Sequence, residues 1–107
     1  MTQKITIIGG GPGGYTAAFE AAKAGAEVAL IEAEHMGGTC LNWGCIPTKT
    51  FKASAEALET VHRLKEFGIS GECNPAADME AIVARKDKVA GTLRGGLEKT
   101  CSKLKVN

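Results

Sequence analysis

An α/β fold built on a right-handed βαβ unit is predicted by three features within the first thirty-two residues. Ile5-Thr6-Ile7-Ile8 is β-branched throughout and runs into glycines, the pattern of a short buried parallel strand. Gly9-Gly10-Gly11-Pro12-Gly13-Gly14 follows at once and fits G-x-G-x-x-G with Gly9, Gly11 and Gly14. Glu27-Val28-Ala29-Leu30-Ile31-Glu32 then reads as a second strand.

The elements follow in order. Between the strands, Gly13 to Lys23 is an alanine-rich helix whose small residues, Ala18, Ala21 and Ala22, let it sit close to a sheet, and Gly25 supplies a left-handed stop. Past the segment 37–49, Phe51, Ala55, Leu58, Val61 and Leu64 recur at helical spacing until Gly68. Asp78 is placed to cap a third helix carrying Met79, Ile82, Val83, Val89, Leu93 and Leu97, whose last turns Gly95 and Gly96 weaken. Val106 could begin another strand. Open α/β sheets usually have four or more strands and only two are readable, so the chain reads as an incomplete fold, the N-terminal part of a larger polypeptide.

With 107 residues there is room for one domain, 1–107. A net charge of +1 leaves no electrostatic footprint for nucleic acid or an anionic membrane, and the basic run Arg85 to Lys88, broken by Asp87, reads as a solvated helix face. No apolar stretch approaches the ~20 residues of a membrane span, and no basic-then-apolar leader precedes the first strand. The expected compartment is the reducing cytoplasm, where a close cysteine pair is more often catalytic or metal-binding than structural.

The glycine loop points to a dinucleotide. Its first glycine makes the tight turn, its second admits the pyrophosphate to the backbone, and its third allows close helix–strand packing. Free N–H groups and the helix dipole then hold the diphosphate, and Pro12 sits where the loss of an N–H costs least. Glu32, eighteen residues after Gly14, is placed to accept hydrogen bonds from a ribose. The alternative is a glycine-rich turn with a solvated Glu32, which leaves three coincident glycines without a reason.

Cys40 and Cys45 carry the second chemistry. In a regular helix their Cα atoms would stand roughly 8–9 Å apart, whereas a disulfide needs about 4.4–6.8 Å. A bond between them therefore requires a distorted segment, which Gly44 permits. So short a loop constrains the unfolded chain little, which favours redox cycling over stabilisation as its purpose. A helix beginning near Pro47 would present its positive end to a Cys45 thiolate, and Lys49, four residues on, adds a cation on the same face. The alternative is two buried structural cysteines and a surface lysine. Zinc is disfavoured: Cys73 and Cys101 form no C-x-x-C pair and read as free thiols, while His35 and His62 lack ligand spacing and read as surface residues. Trp43 either lines the approach to the dithiol or packs the loop.

The run Gly37-Gly38-Thr39-Cys40-Leu41-Asn42-Trp43-Gly44-Cys45-Ile46-Pro47-Thr48-Lys49, with the glycine loop before it and Arg85-Lys86-Asp87-Lys88-Val89 after it, resembles the flavin-dependent pyridine nucleotide–disulfide oxidoreductases over nearly the whole chain. Leu41-Asn42 and Ile46-Pro47-Thr48-Lys49 favour the dihydrolipoamide dehydrogenase branch over the glutathione and mercuric reductases. The resemblance implies a Rossmann-like FAD-binding fold. Gly9, Gly11, Pro12 and Gly14 would hold the FAD pyrophosphate and Glu32 the adenosine ribose. Gly38, Thr39 and Cys40 would run beside the middle of the cofactor. Cys40 would be the outer thiol that exchanges with dihydrolipoamide, Cys45 would face the flavin, and Lys49 would approach the ring near N5. Electrons would pass from substrate dithiol through the disulfide and FAD to NAD.

The implied partners are a lipoyl-bearing protein of a 2-oxoacid dehydrogenase or glycine cleavage complex and a second subunit of a homodimer, with neither nucleic acid nor membrane. The family's NAD domain and its His–Glu proton acceptor match no residues here, so the piece alone is expected to be inactive. The remaining readings are another flavin disulfide reductase, an NAD-dependent dehydrogenase with structural cysteines, and a non-catalytic nucleotide-binding redox module.

Overall fold

A computed structural model describes residues 1–107. Its elements are β1 (Lys4–Ile8), α1 (Pro12–Lys23), β2 (Glu27–Ile31), α2 (Gly38–Asn42), α3 (Cys45–His62), a 3-10 turn (Leu64–Phe67) and α4 (Met79–Leu104). β1 and β2 pair in parallel, in register from Lys4 opposite Glu27 to Ile8 opposite Ile31. Parallel neighbours need a crossover, and α1 supplies it. Pro12 opens α1 with φ already set for the helix, and Lys23 in its last turn complements the dipole.

The core is small. Ala18, Val28 and Val106 are buried together, with Ile7, Phe19, Leu30, Cys101 and Leu104 packed around them. The chain reaches this core a second time through the far end of α4. Lys105 adopts a left-handed turn (φ 56°) that closes the helix, and Val106 drops into the cluster. The Asn107 N–H then donates to the Val28 carbonyl at 3.0 Å, while the Leu30 N–H donates to the Asn107 carbonyl at 2.6 Å. β2 thus has backbone partners on both edges, β1 on one and residue 107 on the other, although residues 106–107 do not amount to a strand.

α3 and α4 run antiparallel as an arm away from this body. The arm stretches the molecule to 69 × 25 × 18 Å and its radius of gyration to 19.8 Å, against about 13 Å for a compact domain of this length. Gly68 (φ 73°) ends the first half of the arm, and the Asp78 carboxylate caps α4 by accepting from the Ala81 N–H at 3.0 Å. The apolar stripes read from the sequence meet only in part: Phe51, Met79, Val83 and Leu93 remain exposed.

Three expectations are corrected. Gly95 and Gly96 do not loosen α4, which runs unbroken for 26 residues because its C-terminal turns are anchored in the core by Cys101 and Leu104. α3 begins at Cys45 rather than near Pro47, since the Thr48 N–H already reaches the Gly44 carbonyl at 3.0 Å. The basic run on α4 is not merely solvated: the Arg85 guanidinium donates to the Thr50 carbonyl of α3 at 3.2 Å.

Candidate dinucleotide and dithiol site

The glycine loop leaves β1 and turns into α1. An added Cβ at Gly14 would lie 1.7 Å from the Gly9 carbonyl oxygen, so only glycine lets the first helical turn close on the strand end. That is the close-packing role expected of the third glycine. The N–H groups of Gly13 and Gly14 find no acceptor within the chain, and α1 has neither a capping side chain nor an acidic residue in its first turn. Two free donors at a positive helix end suit a diphosphate.

Glu32 stands one residue beyond β2 and folds back over the loop. One carboxylate oxygen accepts the Gly10 N–H at 2.6 Å and the other the Glu34 N–H at 3.0 Å. The hydrogen bond from Glu34 and then that from Gly10 hold this carboxyl below its ordinary range. Each oxygen keeps a lone pair for a ribose hydroxyl. The loop-holding bond from Gly10 had no signal in the sequence, because nothing in the spacing distinguishes an internal acceptor from a free one.

α2 brings the cysteine segment to the same place. Gly37 (φ 105°) and Gly38 (φ 63°) turn the chain so that Gly38 lies against Gly11, and a Cβ at Gly38 would come within 2.8 Å of the Gly11 Cα. Thr39, exposed in the first turn of α2, and Cys40 follow directly. Trp43 and Gly44 break the helix, and α3 restarts at Cys45. This is the distortion the cysteine spacing demanded. A Cβ at Gly44 would stand 3.1 Å from the Thr39 oxygen and 3.3 Å from the Cys40 Cα, so the missing side chain lets the two cysteine-bearing turns approach.

Cys40 and Cys45 are both free thiols, close enough for each to feel the other. The neighbouring Cys45 side chain first, then partial burial and the charge on a Cys45 thiolate, push the Cys40 thiol above its ordinary value, with Lys49 opposing. Exposure runs opposite to expectation. Cys45 is exposed and Cys40 half-buried, because Cys40 lines a recess of about 240 Å³ with Tyr15, Leu41, Leu93 and Leu97. Lys49 is exposed one turn along α3.

The remaining candidates lie apart from this chemistry. Cys73 is an exposed free thiol, and burial raises Cys101 above the ordinary thiol range beside the core. His62 meets the Pro75 carbonyl at 3.3 Å. Exposed Trp43 packs against the His35 ring, with centroids 6.2 Å apart. No group of three or more His, Cys, Asp and Glu side chains is placed to hold a metal ion, and no helix is long and apolar enough to cross a membrane.

Two residues for which the sequence signalled no structural role, Asn42 and Arg94, complete the site. Asn42, buried at the end of α2, donates through Nδ2 to the Met36 and Gly38 carbonyls, both at 3.0 Å. Its Oδ1 accepts from Arg94 of α4 at 3.1 Å. The only sequence signal was an asparagine between the cysteines, and its partner lies fifty-two residues away.

A βαβ glycine loop with an acidic strand end, docked against a break that juxtaposes two thiols, defines a nucleotide-binding dithiol protein. The chain belongs to the pyridine nucleotide-disulphide oxidoreductase family, whose family model matches residues 3–106. It is similar to the dihydrolipoyl dehydrogenase of Acholeplasma laidlawii, 52% identical over 88% of this chain and 28% of that protein. The dihydrolipoyl dehydrogenase of Rhizobium etli is 45% identical over 96% of this chain and 21% of its own length. Among solved structures, LpdA from Mycobacterium tuberculosis superposes with a TM-score of 0.87 at 26% identity, over all of this chain and 23% of its own. The HOCl-induced flavoprotein disulfide reductase RclA from Escherichia coli gives 0.72 at 35% identity, over 95% and 20%. The chain therefore spans about a fifth to just over a quarter of these relatives' lengths.

Proposed function

We propose that residues 1–107 form the FAD-binding, redox-dithiol portion of a dihydrolipoyl dehydrogenase-like flavoprotein that oxidises protein-bound dihydrolipoamide and delivers electrons to NAD. The observation that carries this reading is the helix break at Trp43 and Gly44, which brings the turns bearing Cys40 and Cys45 together in a segment whose start, Gly38, is packed on the glycine loop at Gly11. The donor set suits FAD. Gly9, Gly11, Pro12 and Gly14 with the free Gly13 and Gly14 N–H groups would face the pyrophosphate, Glu32 the ribose, Gly38 and Thr39 the central portion, and Lys49 the ring end. Bound FAD supplies the two-electron acceptor that regenerates the disulfide, with NAD beyond it.

The chain's own chemistry is thiol–disulfide exchange. A substrate thiolate attacks one sulfur of the Cys40–Cys45 disulfide, forming a mixed disulfide and releasing the other cysteine as a thiolate. The second substrate thiolate then attacks the mixed disulfide, so the substrate leaves as a disulfide and both cysteines are reduced. We assign the exchange to Cys40 and the cofactor-facing position to the open Cys45. The natural partners are a lipoyl-bearing protein and a second subunit, and the setting is the cytoplasm. The 107 residues alone, about a fifth to just over a quarter of the relatives' length, should not turn over, since no residue here matches the family's NAD domain or its His–Glu proton acceptor.

The test is the full-length protein. It should purify with bound flavin, gain two thiols on treatment with dihydrolipoamide, and reduce NAD in turnover that Cys40→Ser or Cys45→Ser abolishes. A colourless protein, or full turnover in both serine variants, would overturn the proposal. The likeness to RclA keeps one other reading in play, a flavin disulfide reductase of different substrate. Turnover with glutathione disulfide or mercuric ion in place of dihydrolipoamide would select it.

A further inference from the structure

α2 is a five-residue helix, far too short to hold its shape alone, yet it carries Cys40. What holds it is Asn42. The carboxamide satisfies two backbone carbonyls, at Met36 and Gly38, that flank the left-handed Gly37–Gly38 turn. Its orientation is fixed by its partners, because carbonyls accept only and the Arg94 guanidinium donates only. Arg94 is half-buried on α4, one residue from Leu93 in the wall of the Cys40 recess. The bond from Arg94 to Asn42 is charge-assisted, the stronger class. It is also the side-chain hydrogen bond that ties the cysteine segment before Gly44 to the long helix anchored in the core.

We propose that Arg94 and Asn42 are positioning residues for the Cys40–Cys45 couple: the guanidinium holds the Asn42 amide, and through it α2, so that the Cys40 sulfur stays where it can close on Cys45. This deepens the reading that the pair cycles, and rests on it. Thiol–disulfide closure depends on how often the two sulfurs meet, so freeing α2 disfavours the disulfide relative to the dithiol. No bond to either sulfur changes in the variant, only the population of closable geometries.

The experiment equilibrates the full chain with glutathione redox buffers and follows the Cys40–Cys45 peptide by mass mapping, which sets Cys73 and Cys101 aside. Arg94→Ala should lower the closure constant about tenfold, as expected for losing one charge-assisted bond to a buried partner. For a two-electron couple that is ~30 mV toward easier reduction. Arg94→Lys, which keeps the charge with a less suited donor, should fall between Arg94→Ala and wild type. Arg85→Ala, which breaks the other cross-helix bond from α4 to the Thr50 carbonyl, should lower thermal stability but leave the closure constant within twofold. An unchanged constant in Arg94→Ala, or an equal shift in Arg85→Ala, would overturn the positioning role. A wild-type chain whose two cysteines never close overturns the parent reading and this one with it.

Discussion

Gly13 and Gly14 are neighbours in α1 whose missing side chains face different surroundings. Gly14→Ala drives a methyl group into the Gly9 carbonyl and should cost about 3 kcal/mol or more by thermal unfolding. Gly13→Ala meets nothing within 4 Å and should stabilise by about 0.5 kcal/mol. At Glu32 the folded carboxyl titrates below its ordinary value, so the unfolded chain binds more protons between the two values and stability rises with pH there. That contribution is complete above the ordinary glutamate range and fades as pH falls through the folded value. Denaturant unfolding from pH 6 to pH 3 should show this loss in wild type, and a flatter profile in Glu32→Gln. Among the thiols of the flavin-free chain, Cys45 should be alkylated several-fold faster than Cys40 by iodoacetamide at pH 8, because Cys40 is half-buried and its thiol is pushed above its ordinary value. Equal rates by peptide mapping would contradict the geometry.

Between α2 and α3 the decisive element is the break at Trp43 and Gly44. The sequence stated that a break was needed, since five helical steps overshoot a disulfide, and Gly44 marked its place. How the two turns meet was not legible, because it depends on the Cβ-free face of Gly44 lying against Thr39 and Cys40. Gly44→Ala should force those turns a few tenths of an ångström apart and slow disulfide closure, as measured by thiol loss under oxidised glutathione. In α4 the glycine argument misled. Gly95 and Gly96 lower local propensity, but helix continuity was decided by packing of the C-terminal turns on the core. Gly96 has open space around it, so Gly96→Ala should raise stability by about 1 kcal/mol without touching the site.

Across the whole molecule, only ten of 107 residues are buried and the accessible surface is 7553 Å², against about 5,700 Å² for a compact monomer of this mass. Part of the apolar exposure lies along the α3–α4 arm, where Phe51, Leu58, Val61, Met79 and Ile82 line an apolar groove of about 670 Å³. Apolar surface on that scale favours association. Light scattering of the isolated chain at tens of micromolar should therefore give a mass above 11.1 kDa. A strict monomer that fails to enhance the fluorescence of an apolar dye would show the groove to be covered.

By itself the sequence determined the βαβ unit, the glycine loop with Glu32 beyond the second strand, the cap at Asp78 and the helix break that brings Cys40 toward Cys45. Each of these is written in local spacing: periods of two and 3.6, glycines at fixed offsets, a reach set by helix geometry. Only the tertiary structure decided which thiol is open, where Glu32 spends two of its lone pairs, and that Arg85 and Arg94 are fasteners and not simply a wet helix face. The arginine outcomes depend on α4 crossing back over residues it follows by thirty-five and fifty-two positions, and that at Glu32 on a loop twenty-two residues upstream. Separation of that size leaves no periodic trace, because the partner is chosen by the path of the chain and not by its neighbours in sequence.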